Sequence, residues 1–451
     1  MWDSKISRRR FLALSGTALA GTLLGQAVGR SRAAPAGTTN GMLHIGLVLP
    51  TTGDRTLGAF GNSAILGSAA NRGAILAGDE ILGQVGPSGR QFKALISSAP
   101  DTDSMLRAAR RMTREEGAYA IIGGFTTDDA QALSSLAVED DFIFLNIGAQ
   151  SDSLRGSDCS RNTFHLSDSV TACLDAMITL GTQSPAKRWY FVYSDEPGQQ
   201  AKMTTAEELL HDHRDVSIAG SVKVAQNVPF YSAAFTEIAR VDPELVILLL
   251  TPNEQLTFLA QYGASGLTAR TMCFPSPVAQ SRQFYAAYLA NLPEISSAQH
   301  IATWDATLEN ETAVNLNSRY LERFGLAMDP LAWAAYAGVK VMAEAAVKAD
   351  STESTDLIDY LEDEGVQFDV GKAAETSFRP WDHQMRQPLY LVRTQRDFKD
   401  RTTLRDLAKV ERQFPLSDGT SPVSAQQLDM LGVNAADSVC NMHTPQASGE
   451  L

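Results

Sequence analysis

The chain has 451 residues, of which 38 are basic and 52 acidic, so its formal net charge is −14 at pH 7. This acidic balance argues against a function in binding nucleic acid or anionic lipid, since both need an extended basic face. Apolar residues make up 44% and charged residues 20%, which is ordinary for a globular protein, and this length predicts two or three domains.

The first 36 residues have the pattern of an export signal. A twin-arginine motif at 7–12 (Ser-Arg-Arg-Arg-Phe-Leu) precedes an apolar run at 13–28 and the small residues Ala34-Pro35-Ala36. The apolar run is shorter than the roughly 20 residues that cross a bilayer. We therefore predict a cleaved twin-arginine signal peptide at 1–36 and a mature protein in the periplasm. An uncleaved anchor helix is the alternative.

The predicted elements of the first half alternate strands with helices. Strands are predicted at 43–49, 92–96, 118–123 and 142–146, with helices at 58–77, 103–116 and from 128 onward. This order is typical of a parallel sheet that is covered by helices on both faces.

The same alternation restarts near residue 189. Strands are predicted at 189–193, 216–224, 245–250 and 271–274, with helices at 199–213, 230–240 and 254–263. Helices at 310–324, 331–348 and 357–364 and a strand at 389–392 follow. The periodicity fades beyond residue 397, which predicts a tail that wraps the surface or is partly disordered. Two α/β units of similar plan are thus predicted, with a ligand cleft where the carboxyl ends of their strands converge.

The four cysteines are compatible with one disulfide. None is arranged as C-x-x-C, which argues against zinc-ribbon and thioredoxin-type chemistry. In an oxidising compartment we favour a Cys159–Cys440 bond, because both residues lie in polar, loop-like segments. Cys173 lies in a helical apolar pattern and Cys273 in a strand-like run, where a buried free thiol is the usual state.

Three strand-turn segments resemble type I periplasmic solute-binding proteins of the branched-chain amino acid class. They are Ile45–Gly53 (Ile-Gly-Leu-Val-Leu-Pro-Thr-Thr-Gly), Ala120–Thr127 (Ala-Ile-Ile-Gly-Gly-Phe-Thr-Thr) and Phe144–Ser151 (Phe-Leu-Asn-Ile-Gly-Ala-Gln-Ser). The resemblance runs from about residue 43 to 395. It implies an α/β fold of two Rossmann-like lobes with parallel sheets, joined by a three-strand hinge. The implied function is the capture of a small polar ligand, an amino acid or a related compound, by hinge closure and its delivery to the permease subunits of an ABC transporter.

The resemblance also implies a division of the chain into lobes. Lobe 1 is expected at 43–161 plus 300–375, lobe 2 at 165–296 plus 380–396, and a C-terminal extension at 397–451. The three crossings between the lobes are expected near 161–165, 297–304 and 375–380.

A narrower resemblance concerns substrate-binding proteins found with pyrroloquinoline-quinone-dependent alcohol oxidation systems. It rests on segments 155–159, 377–382, 386–388 and 428–432, followed by Cys440. The subgroup implies the same Cys159–Cys440 pair. It also supplies the alternative function, a ligand-binding accessory or sensor protein without transport.

Matching the family motifs position by position implies a set of ligand-binding residues. They are Thr126, Thr127, Gly148, Ala149, Ser151, Tyr193, Asp195 and Glu254. In the family, backbone amides and hydroxyl groups at helix N-termini hold a ligand carboxylate, whereas acidic and aromatic side chains hold its ammonium group.

Each of these residues also has a purely structural alternative. Thr126, Thr127 and Asp128 are suited to capping a helix, Glu254 to complementing a helix dipole, and Tyr193 to packing at a strand end. For Trp304 and Trp333, a core or hinge role competes with stacking on a ligand.

The sequence also departs from the amino-acid-binding pattern. Asp128 and Asp129 place negative charge beside the expected carboxylate site, which predicts either an external cap or a site that disfavours anions. The glycine expected after the strand-end tyrosine of the second lobe is replaced by Glu196-Pro197-Gly198. Specificity for branched-chain amino acids does not follow.

Enzyme motifs are missing from the sequence. It contains no G-x-S-x-G, H-E-x-x-H or phosphate-binding glycine loop. The cluster His211-Asp212-His213 lies at the polar end of a predicted helix, where a solvated surface is favoured over a metal site. We expect a monomeric binding protein that is not an enzyme, with no metal or cofactor.

Overall fold

A computed structural model describes residues 41–52, 64–85, 90–289, 298–395, 398–416 and 421–442. The predicted signal peptide lies outside these residues, as does the start of the helix predicted from residue 58. Among the helices described, none combines the length and apolar character needed to span a membrane.

The first lobe is built on a five-stranded parallel sheet. Its strands are β1 (Met42–Leu49), β2 (Gln91–Ser98), β3 (Ala118–Gly123), β4 (Ile143–Asn146) and β5 (Thr163–His165), in the order β2-β1-β3-β4-β5. Helices α1 (Ala64–Val85), α2 (Thr102–Arg114) and α3 (Thr127–Asp140) connect them. β3 and β4 are buried along their whole length, as expected of strands covered on both faces.

The second lobe is built on a seven-stranded sheet, in the order β12-β11-β10-β9-β8-β6-β7. Its first part comprises α4 (Val170–Thr182), β6 (Arg188–Ser194), α5 (Pro197–Leu210), β7 (Ser217–Val224), α6 (Ser232–Val241), β8 (Leu245–Leu249), α7 (Pro252–Ala264), β9 (Arg270–Cys273), α8 (Arg282–Leu289) and β10 (Gln299–Ala302). The late strands are β11 (Leu389–Thr394) and β12 (Ala408–Phe414), and β11 pairs antiparallel with both β10 and β12. The other neighbours in this sheet are parallel.

Between β10 and β11 the chain returns to the first lobe as α9 (Glu311–Phe324), α10 (Pro330–Lys348) and α11 (Ser354–Leu361). The small residues of α10 allow close contact with α1. A Cβ atom on Gly73 of α1 would lie 1.8 Å from the carbonyl oxygen of Ala332, so the two helix backbones approach closely at this glycine.

The structure confirms the predicted α/β class and the two-lobed plan. Two strands correct the predicted boundaries. β10 lies in the second sheet although residues 300–375 were assigned to lobe 1, and β12 extends that sheet although it falls in the predicted C-terminal extension. β10 has only four residues, too few to show a period, and β12 is an edge strand whose middle residues are charged or polar and partly exposed.

The chain passes between the sheets after His165, after Ala302 and before Leu389. The first and third of these passages lie side by side, because Gln384 forms a parallel bridge with His165. The second passage falls within the expected range 297–304, whereas the first and third fall a few residues later in the chain than expected.

The two lobes also share an apolar contact. Leu66, Phe125 and Leu331 of the first lobe belong to one cluster with Tyr231 and Phe258 of the second. The lobes are therefore in direct contact through side chains and are not linked by the crossing segments alone.

Two tryptophans proposed for a core, hinge or ligand role lie in the core of the first lobe. Trp304 and Trp333 have no exposed surface and stack with ring centroids 5.9 Å apart. The indole N–H of Trp304 donates to Asn317, and that of Trp333 donates to the carbonyl oxygen of Val370. Neither ring lines the cleft described below.

The C-terminal tail is fastened beside the crossing segments. Cys440 forms a disulfide with Cys159, the pair that the sequence favoured, and Cys173 and Cys273 are buried free thiols. The Asp429 carboxylate accepts hydrogen bonds from Arg379 at 3.1 Å and Arg386 at 2.7 Å. Residues 421–442 are therefore anchored to the body of the protein by covalent and charged contacts.

Candidate ligand cleft between the lobes

A cleft of about 480 Å³ lies where the carboxyl ends of the strands in the two sheets face each other. The first lobe contributes Phe125, Thr126, Thr127 and residues 148–153. The second lobe contributes Glu196, Gly198, Gln199, Ala201, Lys202 and Thr205, and Val170 and Pro277 complete the wall. Both lobes therefore reach a molecule placed in this space.

The helix terminus on the first-lobe wall is capped by the protein itself. Thr126 is the N-cap of α3, and its hydroxyl accepts a hydrogen bond from the Asp129 N–H at 3.2 Å. The Asp129 carboxylate is buried and accepts from the Thr102 hydroxyl at 2.7 Å. Asp128, in the same first turn, is exposed.

Asn146, at the end of β4, shapes the neighbouring loop. Its side-chain oxygen accepts from the backbone N–H groups of Gly148 at 3.2 Å and Ala149 at 2.9 Å, and its amide donates to the Ala149 carbonyl at 2.8 Å. Gly148 is needed here, because a Cβ atom would lie 2.9 Å from the Gly124 carbonyl oxygen. The two amides that the resemblance implies for a ligand are thus bonded to Asn146.

Arg155 supports this loop from behind. Its buried guanidinium donates to the carbonyl oxygens of Ser151 at 3.0 Å and Ser167 at 2.5 Å and to the side chain of Gln384 at 2.5 Å. Burial lowers the pKa of Arg155, which nearby carboxylates partly oppose. The first-lobe wall is therefore tied to the crossing segment that carries Gln384.

The second-lobe wall is one face of α5. Lys202 is partly buried there, and its ammonium group donates to Gln199 at 3.1 Å and lies 4.5 Å from the ring centroid of Phe274. Burial lowers the pKa of Lys202, while Glu196 and Asp152 oppose the shift. Asp152, on the opposite wall, accepts hydrogen bonds from the backbone N–H and the hydroxyl of Thr171, both at 3.1 Å.

The structure brings five of the predicted ligand residues together on one wall. Thr126, Thr127, Gly148, Ala149 and Ser151 all line the cleft. They form its first-lobe side.

Tyr193, Asp195 and Glu254 do not line this cleft. Tyr193 packs against the apolar cluster of the second lobe, and Asp195 accepts from the Gln226 N–H at 2.9 Å. Glu254 is buried and forms a capping box with Thr251 at the start of α7. These contacts correspond to the structural alternatives for Tyr193 and Glu254.

Sequence reasoning did not single out Lys202 or Asn146. A lysine inside an amphipathic helix is usually a solvated surface residue, and only the placement of α5 across from the Thr126 loop shows otherwise. Asn146 could have been identified from the sequence, because a polar side chain at the end of a buried strand is suited to hold the loop that follows.

The described residues contain no group of three or more histidine, cysteine, aspartate or glutamate side chains positioned to hold a metal ion. The cluster at His211 and Asp212 is almost fully exposed to solvent.

Comparison with solved structures shows the same two-lobed fold. An amino acid ABC transporter substrate-binding protein from Pseudomonas fluorescens Pf-5 matches with a TM-score of 0.70 at 16% identity, over 89% of this chain and 99% of that chain. A branched-chain amino acid ABC transporter ligand-binding protein from Burkholderia xenovorans LB400 matches with a TM-score of 0.73 at 16% identity, over 89% and 99%. A solute-binding protein of an ABC transporter from Rhodopseudomonas palustris BisB5, in complex with 3,4-dihydroxybenzoic acid, matches with a TM-score of 0.63 at 14% identity, over 84% and 98%.

A search among curated proteins finds no match. The family model described as periplasmic binding protein, in contrast, matches residues 43–400, which is most of the chain. This match confirms the resemblance carried by the three strand-turn segments, and the two sheets confirm the fold that it implies. The chain therefore belongs to the periplasmic binding protein family.

Proposed function

We propose that this protein is the periplasmic substrate-binding component of an ABC transporter, exported by the twin-arginine pathway. It holds a small polar ligand between its lobes and presents the closed form to the permease subunits. The observation that carries this proposal is the composition of the cleft, which takes residues from the strand ends of both lobes. A ligand that contacts both lobes stabilises the closed state over the open state by the contacts made only on closure.

The cleft supports binding rather than catalysis. Its polar groups are mostly hydroxyl groups, amides and backbone atoms, which orient a ligand without activating it. Its volume of about 480 Å³ suits a molecule of the size of an amino acid or an aromatic acid. We propose that the protein acts as a monomer without cofactor or metal.

A thermal-shift screen of the purified mature chain tests this function. The screen covers amino acids, amides, short carboxylates, alcohols, aldehydes and pyrroloquinoline quinone. A ligand at 100 times its dissociation constant stabilises the folded state by about 2.7 kcal/mol, a clear shift of the unfolding midpoint.

Two tryptophan substitutions in α5 test whether a shift of the unfolding midpoint arises from a ligand bound in the cleft. Ala201 lines the cleft, whereas Thr204 on the same helix is exposed and does not line it. Ala201→Trp fills the cleft and should abolish the shift, while Thr204→Trp should retain it. A shift that persists in Ala201→Trp contradicts the assignment of the cleft.

The second candidate function is a ligand-binding accessory or sensor protein of a pyrroloquinoline-quinone-dependent alcohol oxidation system. It is supported by contacts among the segments that carry the narrower resemblance, which are 155–159, 377–382, 386–388 and 428–432 with Cys440. Arg379 and Arg386 both donate to Asp429, and the Cys159–Cys440 disulfide joins segment 155–159 to the C-terminal tail. Stabilisation by the quinone or by an alcohol-oxidation product, but by no amino acid, would support this role.

A further inference from the structure

Lys202 is the only cationic side chain among the described residues that line the cleft. It projects from the second turn of α5 toward the space between the lobes. Among the residues described, no carboxylate lies within ion-pair distance of its ammonium group, which donates to the neutral Gln199 side chain at 3.1 Å. An ammonium group has three donors, so donors of Lys202 remain for another acceptor.

The surroundings of Lys202 favour an anionic partner. The Phe274 ring, 4.5 Å away, and the burial of the lysine side chain remove water from the ammonium group. A desolvated charge without a counter-ion is unfavourable, and a carboxylate placed against it removes that penalty while gaining a charge-assisted hydrogen bond.

The opposite wall, in contrast, is poorly suited to an anion. The hydroxyl of Thr126 is used to cap α3, and Asp128 and Asp129 place two negative charges in the first turn of that helix. These carboxylates offset the positive end of the helix dipole. The amides of Gly148 and Ala149 are bonded to the Asn146 side chain. The Asp129 N–H at the helix terminus and the amides of Gly148 and Ala149, three donors that could hold an anion on this wall, are therefore already engaged.

The remaining charges of the cleft limit the ligand to a single negative charge. Asp152 and Glu196 line the same space as Lys202, so the side chains of the cleft sum to one excess negative charge. A second carboxylate on the ligand meets like charge and no further described cation. The other lining groups include the apolar Phe125, Val170 and Pro277, which suit a hydrocarbon or aromatic body.

We propose that the cleft binds a small monocarboxylate whose anionic group rests on Lys202 of the second lobe, with its body against the apolar side chains of Phe125, Val170 and Pro277. This inference rests on the proposed function, because it names the class of ligand for the same cleft. It reverses the orientation that the family resemblance implies, in which the first lobe holds the carboxylate.

The test compares carboxylates with matched neutral amides by isothermal titration of the mature protein. The probes are 3-phenylpropanoate and 3-phenylpropanamide, 4-methylpentanoate and 4-methylpentanamide, and the dicarboxylate succinate. We expect at least one monocarboxylate to bind more than about tenfold more tightly than its amide and than succinate, as one charge-assisted hydrogen bond predicts.

Substitutions at Lys202 assign the preference to its ammonium group. Lys202→Met should weaken carboxylate binding by about tenfold to a hundredfold and leave the amide unchanged. Lys202→Arg should retain the preference, as should Lys223→Met, because Lys223 is exposed on β7 and does not line the cleft. Urea unfolding of each ligand-free variant verifies that it is folded.

Equal affinity for carboxylate and amide, or a carboxylate preference that survives Lys202→Met, overturns the proposal. If only amides or amines bind, and Ala201→Trp abolishes that binding, the monocarboxylate proposal is wrong but the proposed function is retained. If no probe binds, the monocarboxylate proposal fails. If compounds of the wider screen bind the wild type and bind Ala201→Trp equally well, the function assigned to the cleft is also wrong.

Discussion

Replacing Glu254 by alanine distinguishes its two predicted roles, capping of α7 and contact with a ligand. The side chain is 3% exposed. One carboxylate oxygen accepts from the backbone N–H and from the hydroxyl of Thr251, both at 2.8 Å, and the other accepts from the Asn227 N–H at 2.9 Å. All these contacts lie within the second lobe.

The size of the effect follows from the donors that lose their acceptor. A buried donor left unsatisfied costs about 1–3 kcal/mol, and loss of a helix cap costs about 0.5–2 kcal/mol. At the Thr251 N–H the cost of the unsatisfied donor and the cost of the lost helix cap are the same cost and are counted once. The unsatisfied Asn227 N–H adds a second cost. We therefore expect Glu254→Ala to lower the free energy of unfolding by roughly 2–4 kcal/mol. Affinity for a ligand of the cleft should change by less than about threefold, because Glu254 does not line the cleft.

Urea unfolding followed by tryptophan fluorescence measures the first quantity, and titration with a compound identified in the thermal-shift screen measures the second. Glu353 provides a matched control, because it precedes α11 and makes no side-chain capping bond. Glu353→Ala should stay within about 0.5 kcal/mol of the wild type. Unchanged stability of Glu254→Ala together with lost affinity would refute this reasoning and place the carboxylate against the ligand.

Three further predictions concern stability. Gly73→Ala should lower the free energy of unfolding by about 1–3 kcal/mol or more, because the added methyl group forces α1 away from α10. Gly78→Ala in the same helix should raise it by about 0.5 kcal/mol, because a Cβ atom there lies 3.5 Å from the nearest ring carbon. Thermal unfolding of the two variants measures both effects. Burial lowers the pKa of His300 from 6.5 to about 4. The unfolded chain therefore takes up this proton first as pH falls, so up to roughly 3 kcal/mol of stability is lost between about pH 6.5 and 4. His300→Phe should flatten this part of the profile in urea titrations at several pH values. Because the Cys159–Cys440 disulfide spans 281 residues, its reduction should lower stability by up to about 5 kcal/mol, and the double serine variant should be insensitive to reductant.

The parts of the fold that sequence patterns predicted are the long periodic ones. The strands β3 and β8 are uninterrupted apolar runs, β1 is apolar apart from His44, and helices such as α9 carry a cap residue and a clear apolar face. Such elements are specified locally, so their existence and order can be read from the sequence.

Elements that depend on tertiary pairing were not predictable in this way. β5 has three residues and is defined by its pairing with β4 and by the bridge to Gln384. β12 lies in a polar stretch of the tail, and it forms a strand because β11 offers an open sheet edge. A local pattern has no information on either partner.

The same distinction applies to the cleft. The residues of the first-lobe wall were predicted from the family resemblance. They follow strands directly, and strand order brings such residues to one edge of the sheet. Lys202 lies five residues into a helix, so its direction depends on how α5 packs against the second sheet. Asp128 and Asp129 were visible as a departure from the amino-acid-binding pattern, but their meaning depends on whether a cation faces them across the cleft. Neither carboxylate lines the cleft. In the proposed binding mode, Lys202 on the far wall orients a monocarboxylate by its charge before closure adds the contacts of the first lobe.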